Sequence, residues 1–486
     1  MRGWEHTIAV DDAGREPVFL QIARALVEDV RRGRLRPGDL LPSSRALAAT
    51  LRVHRNTVLA AYQELYAEGW ITMEKARGTF VSRELPEPRP RHFAPSPRSV
   101  MPARAGFELG AATVQVPYRP PPRGTLLLAG GLPDVRLAPA LELARAYRRA
   151  LATGSSGRAL LDYGDPQGHV RLRSALAAML SATRGLAADA SSLLVTRGSQ
   201  MALYLIARAL FQPGDVVAIE ALGYRPAWEA FRQAGARLVP LPVDAAGLDV
   251  DALAQLVGRE RVRAVYVTPH HHYPTTATLA PGRRLRLLEL ARAARLAVIE
   301  DDYDHEFHYD GRPILPLAAA DEAGVVIYLG TLSKILAPGL RIGYVVAPRP
   351  VIERLTAHRA IVDRQGDQAV ECAVASLLED GVVQRHARRV RRVYQGRRDA
   401  LAEALDAQLG GVVRFDRPMG GIALWAHAPG VDVDGWAARC LEAGVVFHTA
   451  KRFAFDGRAR PYLRLGFATS NEVELREAVR RLRSRL

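Results

Sequence analysis

One lysine stands out because this chain almost never uses that residue. Of its 67 basic residues, only Lys75, Lys334 and Lys451 are lysine. Lys334 lies in GTLSKILAPGLRIGY. A lysine amine can lose its proton and form an imine with an aldehyde, which a guanidinium does not do. The alternative, a surface lysine in a loop, is disfavoured by the preference of the chain for arginine, so the motif predicts carbonyl chemistry.

An acidic run, VIEDDYDHEF at 298–307, contains the next candidates. Asp301 and Tyr303 are two residues apart at the end of an apolar strand-like stretch, so both would face the same side. The carboxylate can pair with a protonated ring nitrogen, and the phenol can donate to a ring oxygen. A metal site is the alternative, because Asp and Glu clusters bind cations. Since no second acidic cluster follows another strand, we predict no metal.

A possible anion site lies in LLVTRGSQMALYLIARAL, which predicts a strand followed by a helix. Gly198, Ser199 and Gln200 stand at the helix start, where free backbone N–H groups suit a phosphate. One glycine before one helix is common, so this motif indicates a phosphate site only in combination with the lysine motif and the acidic run. A lysine, an acid and a phosphate site are the groups that pyridoxal 5'-phosphate requires.

The elements that must position these residues form a regular series after about residue 125. Short apolar runs alternate with helical segments rich in Ala, Leu and Arg. The runs are LLVT (193–196), VVAIE (216–220), AVYVTP (264–269), LAVIEDD (296–302), VVIYLG (325–330) and IGYVVAP (342–348). This alternation predicts an α/β domain with a mostly parallel sheet covered by helices on both faces.

The first 83 residues predict a different kind of domain. Apolar residues at helical spacing indicate a helix over 17–33. A short helix capped by Ser43 or Ser44 follows, then a three-residue turn and a second helix that begins at Asn56 or Thr57, which together make a helix-turn-helix. ITMEKARGTFV at 71–81 predicts a two-stranded wing.

A helix-turn-helix reads base edges with the first residues of its second helix, while nearby polar groups hold phosphates. The alternative is an ordinary three-helix packing module, which periodicity alone does not exclude. The residues that we predict to contact DNA are Arg45, Arg55, Asn56, Thr57, Arg77, Gly78 and Thr79.

Composition narrows the class of protein. The formal charge is +16, but residues 1–83 hold 13 basic against 10 acidic residues, so the pattern rather than the charge argues for DNA. Proline and arginine crowd 84–124, which predicts an extended linker.

The start lacks a signal-like apolar run and no stretch suits a membrane span, so we expect a cytoplasmic location and no membrane partner. Cys372 and Cys440 lack metal-site or disulfide spacing.

The N-terminal motifs LPSSRALAATL, RNTVLAAYQEL, EGW and RGTFV resemble the GntR family of bacterial winged-helix regulators over some 65 residues. Two positions depart from the family pattern. His54 stands where Ser commonly caps the recognition helix, and Ala76 replaces a frequent glycine of the wing.

From about 125 to 486 the chain resembles fold type I pyridoxal-phosphate proteins, the aspartate-aminotransferase type. The resemblance implies that Lys334 is the Schiff-base lysine, that Asp301 pairs with the pyridine nitrogen and that Tyr303 binds the phenolic oxygen. It also implies phosphate contacts from Ser199, Gln200, Thr331, Ser333 and Arg341. The motifs that carry it are YGDPQGHVRLRSALAAML (163–180), GSQ, IEALGY (219–224), VTPHHHYPTTATL (267–279), IEDDYD, GTLSKILAPGLRIGY, MGGIALW (419–425) and LRLGFA (463–468).

The same resemblance implies three further roles. Tyr224 would stack on the cofactor ring, and Arg464 matches the arginine that grips the α-carboxylate of an amino acid. Tyr163 is similar to a residue that a partner subunit contributes to the cofactor site. A homodimer is therefore expected.

The run His270–His272 departs from the family's Ser-His-Gln, and Thr276 replaces a glycine of the turn that follows. In a strand, His270 and His272 would face one side and His271 the other, so we predict that the run does not chelate a metal as a unit. The turn lies near the substrate side of the cofactor. We therefore expect these changes to affect the ligand preference first.

The whole chain resembles the MocR-like subgroup of GntR regulators. This predicts domains at 1–83 and 125–486, the latter with a large subdomain (150–365) and a small one (366–486). We expect a PLP-dependent regulator that binds operator DNA and senses pyridoxal phosphate, or an amine or amino acid, through an aldimine at Lys334. An aminotransferase that carries a DNA-binding domain is the first alternative, and a cofactor-free DNA-binding protein with a relict domain is the second.

Overall fold

The computed structural model describes residues 8, 10, 17–75, 77–86, 104–108, 121–122, 124–311 and 313–486. The chain divides into two compact units, Met1–Ala112 and Thr113–Leu486. The linker predicted at 84–124 lies largely outside the described residues, as does Ala76. Over the described ranges, no helix combines the length and the apolar character that crossing a membrane requires.

The N-terminal unit is a winged helix-turn-helix, as predicted. It contains α1 (Val18–Arg31), α2 (Ser44–Leu51), α3 (Arg55–Ala67), β1 (Ile71–Glu74) and β2 (Gly78–Val81). Strands β1 and β2 pair in an antiparallel hairpin, which is the wing. Leu26, Leu47, Val58 and Tyr62 share one apolar core, so the three helices pack around a single centre.

Caps determine where the two helices of the helix-turn-helix begin. The Ser43 hydroxyl accepts from the backbone N–H of Ala46, 3.2 Å away, and thereby caps α2. The expected start of the next helix at Asn56 or Thr57 is one or two residues late. His54 acts as the cap of α3, because its Nδ1 accepts from the backbone N–H of Asn56 at 3.2 Å.

The helices of the C-terminal unit cover both faces of the larger sheet and pack against the smaller one. They are α4 (Ala140–Ala152), α5 (Gly154–Ala159), α6 (Val170–Arg184), α7 (Ser199–Leu210), α8 (Arg225–Gln233), α9 (Val250–Arg259), α10 (Pro281–Ala294), α11 (Arg349–Val362), α12 (Gln368–Glu379), α13 (Val382–Leu409), α14 (Val433–Glu442) and α15 (Glu472–Ser484).

The strands of this unit include all six predicted apolar runs. They are β3 (Leu126–Leu127), β4 (Leu193–Thr196), β5 (Val216–Glu220), β6 (Arg237–Leu241), β7 (Val243–Asp244), β8 (Gly247–Leu248), β9 (Val262–Val267), β10 (Ala297–Asp302), β11 (Val326–Thr331), β12 (Gly343–Val346), β13 (Arg414–Phe415), β14 (Ala423–His427), β15 (Val445–Val446), β16 (His448–Thr449) and β17 (Tyr462–Gly466).

The larger sheet has the strand order β4-β12-β11-β10-β9-β5-β6. Strands β11, β10, β9, β5 and β6 are parallel, and β12 is antiparallel to both of its neighbours. In the central strand, Ile299 packs with α7, α8 and α11 on one face. Val298 packs with α9 and α10 on the other. The sheet is therefore buried on both faces, which explains its continuous apolar runs.

A smaller antiparallel sheet has the order β13-β14-β17-β16 and packs against α13, α14 and α15. Helix α12 packs in the same apolar cluster as α6 and the larger sheet. Helix α13 extends from that cluster to the core of the smaller sheet. The subdomain boundary expected near residue 365 stays a prediction.

The prediction for the histidine run was wrong in its premise. Strand β9 ends at Val267, so His270–His272 lie in the following loop and do not alternate as strand residues. The rings of His270 and His271 lie side by side, with centroids 4.3 Å apart.

Candidate functional site

The predicted chemical residues converge where the parallel strands end. Asp301 lies near the end of β10, Tyr303 follows that strand, and Lys334 follows β11, its direct neighbour. Because parallel strands present their carboxyl ends at one edge of the sheet, residues distant in sequence come together there.

This edge encloses a cavity of about 350 Å³. Every residue predicted to bind the cofactor lines it except Tyr163. The lining residues are Gly130, Gly131, Leu132, Ser199, Gln200, Tyr224, Tyr266, Thr268, Tyr273, Asp301, Tyr303, Thr331, Ser333, Lys334, Pro338 and Arg341.

Lys334 is directed into this cavity. Its Nζ donates to the backbone carbonyl of Gly131, 2.5 Å away. Burial lowers the pKa of Lys334, although the carboxylates of Asp304 and Asp301 oppose that effect. A lowered pKa increases the neutral fraction of the amine, and the neutral amine is the nucleophile.

Asp301 is a buried carboxylate with one partner. The Tyr266 hydroxyl donates to its Oδ2 at 2.8 Å. Burial raises the pKa of Asp301 to about 6, although the Tyr266 hydrogen bond opposes this. Its Oδ1 and the Tyr303 hydroxyl have no hydrogen-bond partner within the described part of the chain. These buried atoms suit a ligand that carries a cationic N–H and an oxygen.

The predicted anion site surrounds the start of α7. Gly198 precedes the helix with φ of 79°, and a Cβ there would come 2.7 Å from the Arg341 guanidinium. This close approach explains the glycine. Arg341 donates to the carbonyl of Arg197 at 2.7 Å, and the Thr331 and Ser333 side chains line the same cavity. The helix start and the guanidinium together suit a phosphate.

Aromatic residues form one wall of the cavity. Tyr224 and Tyr273 meet edge to face with ring centroids 5.6 Å apart, and Tyr303 contacts Tyr273 in the same way at 5.9 Å. Burial raises the pKa of Tyr224 to about 12, so its hydroxyl remains protonated. Tyr224 therefore lines the cavity with an uncharged aromatic ring.

Arg464 lies next to the cavity but does not line it. Its side chain is fully buried on β17, and Nη1 donates to the carbonyl of Pro274 at 2.6 Å. Nε and Nη2 have no hydrogen-bond partner, and no carboxylate forms an ion pair with it among the described residues. The guanidinium stands 4.6 Å from the Tyr273 ring. A buried cation without a carboxylate favours an anionic ligand.

Sequence reasoning missed several residues of this site. Tyr266, Thr268 and the pair Gly130–Gly131 line the cavity, and a Cβ at Gly130 would come 2.5 Å from Nε of Arg464. The doublet GG before LPD was the available signal for the last two. Tyr266 lies inside an apolar strand and gives no signal of its own.

Tyr163 is not brought to the cavity within one chain. Its side chain is 75% exposed, and the Arg364 guanidinium lies 4.2 Å from its ring. Its role across a dimer interface stays a prediction.

The residues predicted to contact DNA lie in the N-terminal unit and are mostly exposed. Arg55 and Asn56 open α3, and Nε of Arg55 donates to the Ser44 hydroxyl at 3.4 Å. Arg45 is exposed on α2. In the wing, Arg77 pairs with Glu74 at 2.5 Å, beside Gly78 and Thr79. Exposed polar groups at a helix start and a wing are consistent with DNA contact.

Comparison with known proteins identifies both units. Residues 19–81 match the gntR family of bacterial regulatory proteins. Residues 133–482 match the family of class I and II aminotransferases. The aminotransferase match covers the two sheets and all of the cavity lining except Gly130, Gly131 and Leu132.

Two regulators and one enzyme illustrate the relationship. The probable rhizopine catabolism regulatory protein MocR of Rhizobium meliloti is 30% identical over 98% of this chain and 95% of its own. The HTH-type transcriptional regulator TauR of Rhodobacter capsulatus is 32% identical over 95% of both. The structure of the α-aminoadipate aminotransferase LysN from Thermus thermophilus, complexed with N-(5'-phosphopyridoxyl)-L-leucine, matches with a TM-score of 0.69 and 34% identity over 75% of this chain and 92% of its own.

The buried charge of Asp301 leads to a testable prediction for the protein without cofactor. Because the folded pKa, about 6, lies above the ordinary value of 3.8, stability is complete below about pH 4 and falls as pH rises through 6. Asp301→Asn should therefore raise the free energy of unfolding at pH 8 by about 1–3 kcal/mol and leave it unchanged at pH 4. Urea unfolding at both pH values measures this.

The matched control is Asp406→Asn, which removes a carboxylate that is 59% exposed and should change stability by less than about 0.5 kcal/mol. The same Asp301 variant should bind pyridoxal phosphate more weakly, because the ring nitrogen loses its counter-charge. Equal stabilisation at pH 4 and pH 8 would contradict the argument.

Proposed function

The chain belongs to the class I and II aminotransferase family and joins it to a gntR-type DNA-binding domain, as MocR-like regulators do. From this premise we propose that it is a pyridoxal-phosphate-dependent transcriptional regulator acting in the cytoplasm. One observation carries the proposal: a chain with a winged helix-turn-helix also retains an acid, a lysine and an anion site around one cavity.

Residues around the cavity offer a group for each part of pyridoxal phosphate, which supports this cofactor. The cofactor supplies an aldehyde that condenses reversibly with a primary amine. Lys334 offers that amine, and Asp301 and Tyr303 offer their unpartnered oxygens to the ring. Ser199, Gln200, Thr331, Ser333 and Arg341 surround the place for the phosphate. The relatives among aminotransferases support the same cofactor.

Arg464 supports an effector with a carboxylate. It is buried, lacks an acidic partner among the described residues and stands behind the cavity wall formed by Tyr273 and Gly130. Bidentate binding of a carboxylate is the task for which arginine is best suited. We therefore favour an amino acid as the sensed compound over pyridoxal phosphate alone.

Sensing requires a ligand with different affinities for two states of the protein. Lys334 follows a strand of the larger sheet, whereas Arg464 lies on the smaller one. A ligand held by both would bias their mutual arrangement. In a homodimer, Tyr163 of each subunit would reach the site of the other, and the same bias would act on two DNA-binding domains.

The alternative is a working aminotransferase that carries a DNA-binding domain. Every residue type that transamination needs is present, and aminotransferases are among the relatives. The full-length similarity to regulators favours regulation as the main role. Slow amino-group transfer is compatible with either role.

Lys334→Ala should abolish the visible absorption of the bound cofactor, because the covalent link to the protein is lost. Most of the cofactor should then be removed by gel filtration. Lys451→Ala is the matched control, since Lys451 is an exposed lysine outside the cavity. Absorption spectra of the purified full-length proteins measure both effects.

A spectrum of Lys334→Ala that matches the wild type would show that this lysine is misassigned. Steady amino-group transfer to a keto acid by the wild type at about 1–1,000 s⁻¹ would favour the enzyme alternative, since this is the ordinary enzyme range.

Arg55→Ala should weaken binding to operator DNA about tenfold or more, because it removes a cationic contact at the start of the recognition helix. DNA from the region upstream of the gene is the probe, and fluorescence anisotropy is the measurement. Arg480→Ala removes the same charge from an exposed site in the C-terminal unit and should leave the affinity unchanged. Equal effects of the two variants would mean that α3 is not the reading helix.

Arg464→Ala should abolish the response of DNA binding to a carboxylate-bearing amino acid and retain the visible spectrum of the cofactor. A panel of amino acids and amines, titrated with both readouts, measures this. Arg460→Ala, four residues away and paired with Asp456, is the control. An unchanged response would favour pyridoxal phosphate itself as the sensed compound.

A further inference from the structure

A cluster of histidines outside the cofactor cavity has no role in the proposed function. His270 and His271 lie in the loop after β9, and His308 lies in the segment after β10. One potential ligand atom from each lies within 4.8 Å of the other two. None of these three residues lines the cofactor cavity.

Most ring nitrogens of the cluster make no hydrogen bond within the described part of the protein. Both nitrogens of His270 and both of His308 are buried and have no hydrogen-bond partner among the described residues. The His270 side chain is only 4% exposed. Two imidazoles with four unpartnered nitrogens are costly to bury, and a metal ion is a partner that satisfies such lone pairs.

His271 is held in the orientation that a metal ligand needs. Its Nδ1 lies 2.8 Å from Oδ1 of Asp304, so Nδ1 carries the proton and donates to this carboxylate. The lone pair is then on Nε2. Gly420 lies close to this nitrogen, and a larger residue there would obstruct it, because a Cβ would come 2.2 Å from Nε2. A carboxylate behind a histidine is the usual outer arrangement of histidine metal sites.

From this geometry we propose that His270, His271 and His308 bind a divalent first-row transition-metal ion such as Zn²⁺. Imidazole ligands select such ions over Mg²⁺ or Ca²⁺. In a tetrahedral site with metal–nitrogen bonds of about 2.0–2.1 Å, two ligand nitrogens lie about 3.4 Å from each other. The potential ligand atoms of the three histidines lie within 4.8 Å of one another, so small ring rotations would bring them to this distance.

The fourth position would open to a separate space. His308 also lines a second cavity of about 220 Å³, together with His305 and residues of α6 and α13. Among the residues that the structure describes, none lines both this cavity and the cofactor cavity. The second cavity gives the metal ion an entry route and room for a water ligand.

The metal ion would link two segments that also form walls of the cofactor site. Tyr273 follows His271 by two residues, and Tyr303 precedes His308 by five. Both tyrosines line the cofactor cavity. Metal binding would therefore hold these two walls in one arrangement.

The test uses the full-length protein without a polyhistidine tag, after treatment with a chelator. Equilibrium dialysis against Zn²⁺, followed by elemental analysis, should give one ion per chain for the wild type. The double variant His270→Ala, His308→Ala should lose at least about tenfold in affinity. His358→Ala, His427→Ala removes two histidines outside the cluster and should retain the site.

A second variant tests the site in case the double variant His270→Ala, His308→Ala does not fold. Gly420→Ala retains all three ligands but places a methyl group against Nε2 of His271, so it should also weaken Zn²⁺ binding. The visible spectrum of the bound cofactor reports folding in every variant. The visible bands of Co²⁺ used in place of Zn²⁺ should change when His270 is replaced. A wild type that binds no Zn²⁺, or equal binding by the two double variants, overturns the proposal.

Discussion

The buried carboxylate of Asp301 is the constraint on which the cofactor site depends. It stands on the central strand of a sheet that is covered on both faces, and Tyr266 alone donates to it within the described chain. Such a group is costly to ionise without a cation. In the proposed site, a protonated ring nitrogen of the cofactor would supply the missing charge.

Arg464 is a buried positive charge on the smaller sheet, whereas Asp301 is a buried negative charge on the larger one. Its guanidinium is fully buried and has no carboxylate partner in the described chain. A cofactor aldehyde at Lys334 and the positive charge behind Tyr273 would together match the amine and the carboxylate of an amino acid held between two sheets. Because Lys334 follows a strand of the larger sheet and Arg464 lies on the smaller one, occupancy of the site and the arrangement of the sheets would be physically linked. This link is what a sensor needs, and it does not require rapid turnover.

Patterns within one element were predictable, and contacts between elements were less so. The apolar runs identified six of the seven strands of the larger sheet to within two residues, because a strand buried on both faces must be continuously apolar. The start of α3 was misplaced because a histidine replaces serine as its cap. The histidine run was misjudged because strand β9 ends three residues before it. Tyr266 was missed since a buried tyrosine looks like any other apolar strand residue.

The sequence by itself determined the two domain types and the cofactor, and it predicted which lysine would bind that cofactor, since rare residue types at set spacings carry that information. Tertiary structure alone decided which polar atoms remain without partners, because burial and hydrogen bonding depend on segments far apart in the chain. It placed Gly130 against Arg464, Tyr266 on Asp301 and His308 beside His270. Those contacts arise where strand ends and loops meet, and no local pattern encodes them.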